Sequence, residues 1–319
     1  MRSSSWQLLA LRPKLDPAPS FRELPDTNDL QSLADWLDAQ EQAVPGLVDG
    51  AAAHVRFADP EAPAKRPLCF LYLHGFSATW PETAPVTERL ATRFGANIVQ
   101  ARLPGHGVGP EGMLTPAEEW LASVYLSWQI ATRLGHKVAI VATSTGAPLS
   151  VWLASRPDVP DTLHSLLFMS PNFGIRSRFA FLLTAPLSPY WIHLILGQER
   201  HWEPINEAQA RYWTSHYSNR ALIEMQKVVD WAGKQDVRRF RIPLATMYMK
   251  NDPTIDPGAA IGIHRRWGGE PKSLIQAAID PEEASLRLRR RHHGAPSYRL
   301  GRPASSGFID GLERDAPKA

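Results

Sequence analysis

Short, nearly unbroken apolar runs alternate along this chain with stretches of helical period, and that alternation is its first legible feature. The runs rich in branched and aromatic residues are "CFLYLH" (69–74), "ANIVQAR" (96–102), "KVAIVAT" (137–143), "HSLLFMS" (164–170), "LATMYMK" (244–250) and "SLIQAA" (273–278). Between them the pattern predicts helices near 84–94, 116–134, 146–156 and 257–267. An earlier helix lies within "NDLQSLADWLDAQEQAV", with Asn28 or Asp29 as its cap and Leu30, Leu33, Trp36 and Leu37 on one face. Strands apolar on both faces and separated by helices indicate an α/β fold, a mainly parallel, doubly wound sheet covered on both sides. In such sheets the chemistry gathers at the carboxyl ends of the strands.

One segment departs from this rhythm. From 171 to 242 the pattern is helical and dense in large aromatics, among them Tyr190, Trp191, Trp202, Tyr212, Trp213, Tyr217 and Trp231. The expectation is a helical cap inserted into a core made of 27–170 and 243–284. An irregular N-terminal segment (1–26) precedes that core, and an irregular basic tail (285–319) follows it.

Composition narrows the function. Cys69 is the only cysteine and sits inside an apolar strand, so neither an intramolecular disulfide nor cysteine catalysis is expected. The net charge of +3 belongs to the tail, where eight Lys and Arg stand against three Asp and Glu. A run such as "RLRRR" without interleaved aromatics reads as a solvated tail, so no nucleic-acid partner is expected. No segment reaches the roughly 18 apolar residues of a membrane span, and the N-terminal apolar patch, broken by Arg12 and Pro13, is too short for a signal peptide. The expectation is a soluble cytoplasmic protein without stable membrane insertion. Spacings for a metal site or a dinucleotide loop are lacking, so no metal or cofactor is expected.

The chemistry centres on "VAIVATSTGAPLS", a strand that runs into Ser144 and out into a helix beginning with small residues. A serine on such a turn projects its hydroxyl above the sheet, while the helix N-terminus behind it offers N–H groups to an oxyanion. The usual G-x-S-x-G pattern is here Ala142-Thr143-Ser144-Thr145-Gly146, with alanine replacing the first glycine. "LYLHGF" places Phe76 where its N–H, with that of Thr145, completes a two-donor oxyanion hole. His74 and His106 read as structural. In "NDPTIDP", Asp252 lies just past a strand end, where a carboxylate can orient a histidine, whereas Asp256 reads as a helix cap.

Taken in order, strand-"HGF", "RLPGHG", "TSTG", "SPNFG" and "NDPTIDP" resemble the α/β-hydrolase superfamily, in its branch of serine esterases and monoacylglycerol-lipase-like hydrolases. The resemblance spans roughly residues 30–280. It implies a Ser-Asp-His triad in that chain order, the oxyanion hole at Phe76 and Thr145, a cap and no cofactor; the aromatic content of the cap segment suggests a small-molecule ester with an apolar acyl group as substrate.

The base is the difficulty. After Asp252 only His264, His292 and His293 remain; His264 falls mid-helix, and the other two sit in "SLRLRRRHHGAPSYRLG" (285–301), where helical period is lost. The resemblance implies a His, a short apolar run, Ala-Gly-Asp and a Pro at this point. With Ser285 as TCA, leucines as CTT and arginines as CGT, CGC, CGG and CGA in turn, the shifted reading frame spells HFVFAGDIMAP. Two readings stand: a native tail with His292 or His293 as base, or a frameshifted translation whose true base was encoded across Ser285 and Leu286. A third reading takes an intact tail as the mark of a non-catalytic relative that only binds a ligand, so an impaired or ligand-binding relative of the hydrolases is the alternative function.

Overall fold

The computed structural model describes residues 11–277. The tail with His292 and His293 therefore lies outside the described residues, as does the N-terminal decapeptide.

Helix α1 (Leu30–Gln42) is capped by Asp29, whose carboxylate accepts the Ser32 N–H at 2.7 Å. The α/β layers then follow in sequence: β1 (His54–Arg56), β2 (Arg66–Leu73), α2 (Ala84–Phe94), β3 (Asn97–Gln100), α3 (Ala117–Leu134), β4 (Gly135–Thr143), α4 (Gly146–Ala154) and β5 (Leu163–Met169). After the 171–242 segment come β8 (Leu244–Tyr248), α8 (Pro257–Arg266) and β9 (Lys272–Gln276). Seven strands form one sheet in the order β1-β3-β2-β4-β5-β8-β9. Every pairing in it is parallel except β1 with β3. All six strands read from the apolar runs are present. β1 was not predicted: three residues, "HVR", at an edge carry too little pattern to read.

The apolar runs are continuous because both faces of each central strand are covered. On β2, Cys69, Leu71 and Leu73 enter the main core with Trp120, Trp128 and Trp152, while Phe70 and Tyr72 enter a second core with Ala91, Ile98 and Val141. Burial pushes the Cys69 thiol pKa far up, which leaves it an inert packing group.

The 171–242 segment contains a 3-10 turn (Ala180–Thr184), α5 (Ser188–Leu196), α6 (Glu207–Tyr212) and α7 (Ala221–Gly233). It also contains an antiparallel ribbon of β6 (Glu199–His201) and β7 (His216–Ser218), which the helical expectation missed. "ERH" is wholly exposed, so it had no buried face to impose an alternation. Helix α7 sends Met225, Val228 and Ala232 into the main core. The residues before it instead meet the loop after β2: the Thr214 N–H donates to Ser77 O at 2.7 Å, and the Thr79 hydroxyl donates to Tyr212 O at 3.0 Å. Among the described residues no helix is long and apolar enough to cross a membrane.

Candidate active site

Ser144 sits between β4 and α4 with φ at +49°, a left-handed conformation that costs a residue bearing a side chain and persists only where its surroundings hold it. Here three backbone bonds do so. The Ser144 N–H donates to Met169 O at 3.0 Å, and its carbonyl accepts from Ala147 and Asn172 at 3.1 and 3.0 Å. The helix can turn away at once because Gly146 has no Cβ; one placed there would collide with the Leu73 carbonyl. Ala142, at the position of the motif's first glycine, stays in strand register with Leu73 and Phe168 and buries its methyl group completely.

The loop after β2 packs directly on this turn. A Cβ built on Gly75 would lie 3.1 Å from the Ser144 Cβ, so glycine permits the loop backbone to pack this closely on the serine. His74 holds the loop: its Nδ1–H donates to Gly75 O at 2.8 Å, and its Nε2 accepts the Leu103 N–H at 2.9 Å. With both ring nitrogens used and the ring fully buried, burial holds its pKa well below the usual histidine range. His106 lies beside it, ring centroids 5.1 Å apart, and burial lowers its pKa to about 4. Both are neutral structural groups that tie "HGF" to "RLPGHG". The half-buried Phe76 ring packs against Tyr217, His106 and Trp120 at centroid distances of 5.5, 5.9 and 6.0 Å.

Asp252 is buried beyond β8. Its Oδ1 accepts the N–H groups of Thr254 and Ile255 at 2.9 and 2.8 Å, which orients the carboxylate. It lines a small cavity with Ser170, Tyr248 and Met249. In the strand order, β5 alone separates β8 from β4, so Asp252 and Ser144 emerge from the same end of the sheet two strands apart. Asp256 is engaged otherwise, capping α8 through the Gly258 N–H at 2.8 Å. His264 is held inside α8, where its Nδ1 lies 3.0 Å from Thr246 Oγ1 on β8. Strand β9 delivers the chain to Ala277, whose N–H donates to Tyr248 O at 2.8 Å. The candidate bases follow beyond that point, outside the described residues.

One group at the site went unread in the sequence. The Glu82 Oε1 accepts the Gly75 N–H at 2.7 Å and the Tyr72 hydroxyl at 2.8 Å. A single acid in "TWPETAP" carries no spacing that points to this, because its partners are a strand residue ten positions earlier and a loop amide. Among the described residues no group of three or more His, Cys, Asp and Glu gathers as a metal ion would require.

No protein-family model and no curated protein matches the chain. Solved structures do. One of two metagenome-derived lipolytic enzymes aligns at 18% identity with a TM-score of 0.57, over 76% of this chain and 96% of its own. A monoacylglycerol lipase from Paleococcus ferrophilus aligns at 15% identity and a TM-score of 0.51, over 74% and 95%. Monoglyceride lipase from Saccharomyces cerevisiae aligns at 12% identity and a TM-score of 0.57, over 88% and 98%. At these identities the likeness speaks for architecture, and the chain has the α/β-hydrolase fold.

Proposed function

We propose that this chain is a serine hydrolase of carboxylic esters with apolar acyl groups. The observation that carries the reading is Ser144 held at positive φ between β4 and α4, with the glycine of "HGF" packed against it. In this mechanism the Ser144 Oγ attacks the acyl carbonyl, and the Phe76 and Thr145 N–H groups receive the oxyanion. Each such donor is worth about 2.7–4 kcal/mol of barrier. A histidine from the chain beyond Ala277 takes the serine proton, and Asp252 fixes its tautomer and stabilises the imidazolium. The alcohol leaves with that proton, and water then releases the acyl group from the serine.

The apolar acyl preference rests on the half-buried Phe76 ring, which is backed by the buried Tyr217 and Trp120 rings. The 171–242 segment contributes Tyr217 to that wall, which is the role proposed for it as a cap. Resemblance to lipolytic enzymes and monoacylglycerol lipases supports the same substrate class, small esters of fatty acids.

A fluorophosphonate probe tests the reading. Labelling of the chain that disappears in Ser144→Ala supports it, and labelling that survives the substitution overturns it. The alternative, a relative impaired by its aberrant tail, expects no labelling of the chain as it stands, and labelling that returns once the reading frame is restored from Ser285 onward.

A further inference from the structure

Glu82 is a buried acid that the reaction just described does not use. It lies in the 3-10 turn Trp80–Thr83, closed by its own N–H donating to Thr79 O at 3.1 Å. The Glu82 Oε1 accepts two bonds at once, from the Gly75 N–H and from the Tyr72 hydroxyl. Tyr72 in turn shares a 3.0 Å hydrogen bond with Thr143 Oγ1. Gly75 immediately precedes Phe76, and Thr143 immediately precedes Ser144. One carboxyl group therefore ties the residue before one proposed oxyanion donor to the residue before the nucleophile, whose successor Thr145 carries the other donor.

The two donors arise from separate parts of the chain, the loop after β2 and the turn after β4. Backbone pairing aligns the strands themselves, Leu73 with Ala142 in register, but it ends before either loop begins. Beyond that point the spacing of the donors depends on contacts between the two loops, and misplacement of a reacting group by about 1 Å can cost on the order of 100-fold in rate. The Glu82–Tyr72–Thr143 chain supplies that link. We propose that Glu82 is a positioning residue of the oxyanion hole, holding its two halves in register through Gly75 and through Tyr72–Thr143. The proposal rests on the serine-hydrolase reading and deepens it. The protonation preference of Glu82 agrees with such a place: burial raises its pKa to about 7, so much of the population near neutrality sets no negative charge beside the oxyanion.

The test compares the full chain with Glu82→Met, Glu82→Gln and Ser144→Ala. Three readouts are taken: kcat and KM on p-nitrophenyl butyrate, affinity for phenylboronic acid as a tetrahedral mimic, and amide exchange of the 73–79 peptide by mass spectrometry. The exchange readout needs no turnover. In Glu82→Met, kcat is expected to fall about 10- to 100-fold with KM within about threefold, since only a transition-state interaction is lost. Boronate affinity falls about tenfold in parallel, and the 73–79 amides exchange faster. Glu82→Gln keeps an acceptor oxygen for both bonds, so it recovers most of each quantity. Should Glu82→Met fail to fold, Tyr72→Phe cuts the link to Thr143 while leaving the carboxyl group, and the same pattern is expected in weaker form.

Unchanged exchange in the Met variant, or faster exchange with kcat and boronate affinity intact, overturns the proposal while Ser144→Ala remains inactive. Failure of the serine reading itself has another signature, hydrolysis and boronate binding that survive in Ser144→Ala, and the proposal falls with it. In a chain without measurable turnover, boronate affinity decides in place of kcat.

Discussion

Gly146 backs onto the carbonyl of Leu73 so closely that a Cβ on the glycine would collide with the oxygen. That contact sets how near α4 comes to β2, and hence where Ser144 stands above the sheet. Gly146→Ala is expected to destabilise the fold by about 1–3 kcal/mol or more, because the obstacle is backbone and not a flexible side chain. Ala142→Gly, at the other small position of the motif, has no clash to relieve and costs about 0.5–1 kcal/mol in a strand interior. Urea unfolding of the two variants checks the asymmetry; equal losses would contradict it.

Asp252 and Asp256 are expected to separate cleanly. Asp252→Asn leaves the side-chain oxygen that accepts from Thr254 and Ile255 but removes the charge, so ester hydrolysis should fall by about 10⁴-fold in kcat with little loss of stability. Asp256→Ala removes the α8 cap and should cost about 1 kcal/mol of stability while kcat stays near that of the parent. Paired melts and initial rates on both variants read this directly, and a larger rate loss in Asp256→Ala would exchange their roles.

The buried histidines and Glu82 pull stability in opposite directions with pH. His106 has a folded pKa of about 4 against an ordinary 6.5, so the unfolded chain binds its proton more readily. Its contribution is present above pH 6.5 and is lost as pH falls from 6.5 toward 4, by about 3 kcal/mol in all. His74 is lowered in the same sense. Glu82 is raised from 4.5 to about 7, so its contribution is full below pH 4.5 and is lost as pH rises from 4.5 to 7. The overlapping slopes offset each other in the parent chain. Denaturant unfolding from pH 4 to 8 should show acid-side stability gained in His106→Gln relative to the parent, and a flatter loss toward pH 7 in Glu82→Gln.

The coding DNA bears on the base. If the codons from Ser285 onward spell histidine across Ser285 and Leu286 in the shifted frame, restoring that frame should raise kcat on a short ester by several orders of magnitude, the scale at which losing a triad member acts. If they do not, His292→Ala and His293→Ala become the informative pair, and one of them should abolish fluorophosphonate labelling.

Hydrophobic pattern and motif order were enough to read six strands, their parallel sheet and the serine turn, because each depends on contiguous residues whose period or spacing is visible. "VAIVATSTG" must be a buried strand entering a tight turn wherever it lies in the fold. The same local logic read Asp256 as a helix cap and His74 as a group that holds its loop. The β6–β7 ribbon and β1 escaped because strands of three residues are too short to show an alternation, and each of them buries at most one side chain. Glu82 escaped for a deeper reason: its role consists of hydrogen bonds to Gly75 and Tyr72, and through Tyr72 to Thr143 on another strand. Such a relation has no period in the chain. It comes into being only when β2 and β4 pair and bring two distant loop entrances within reach of one carboxyl group.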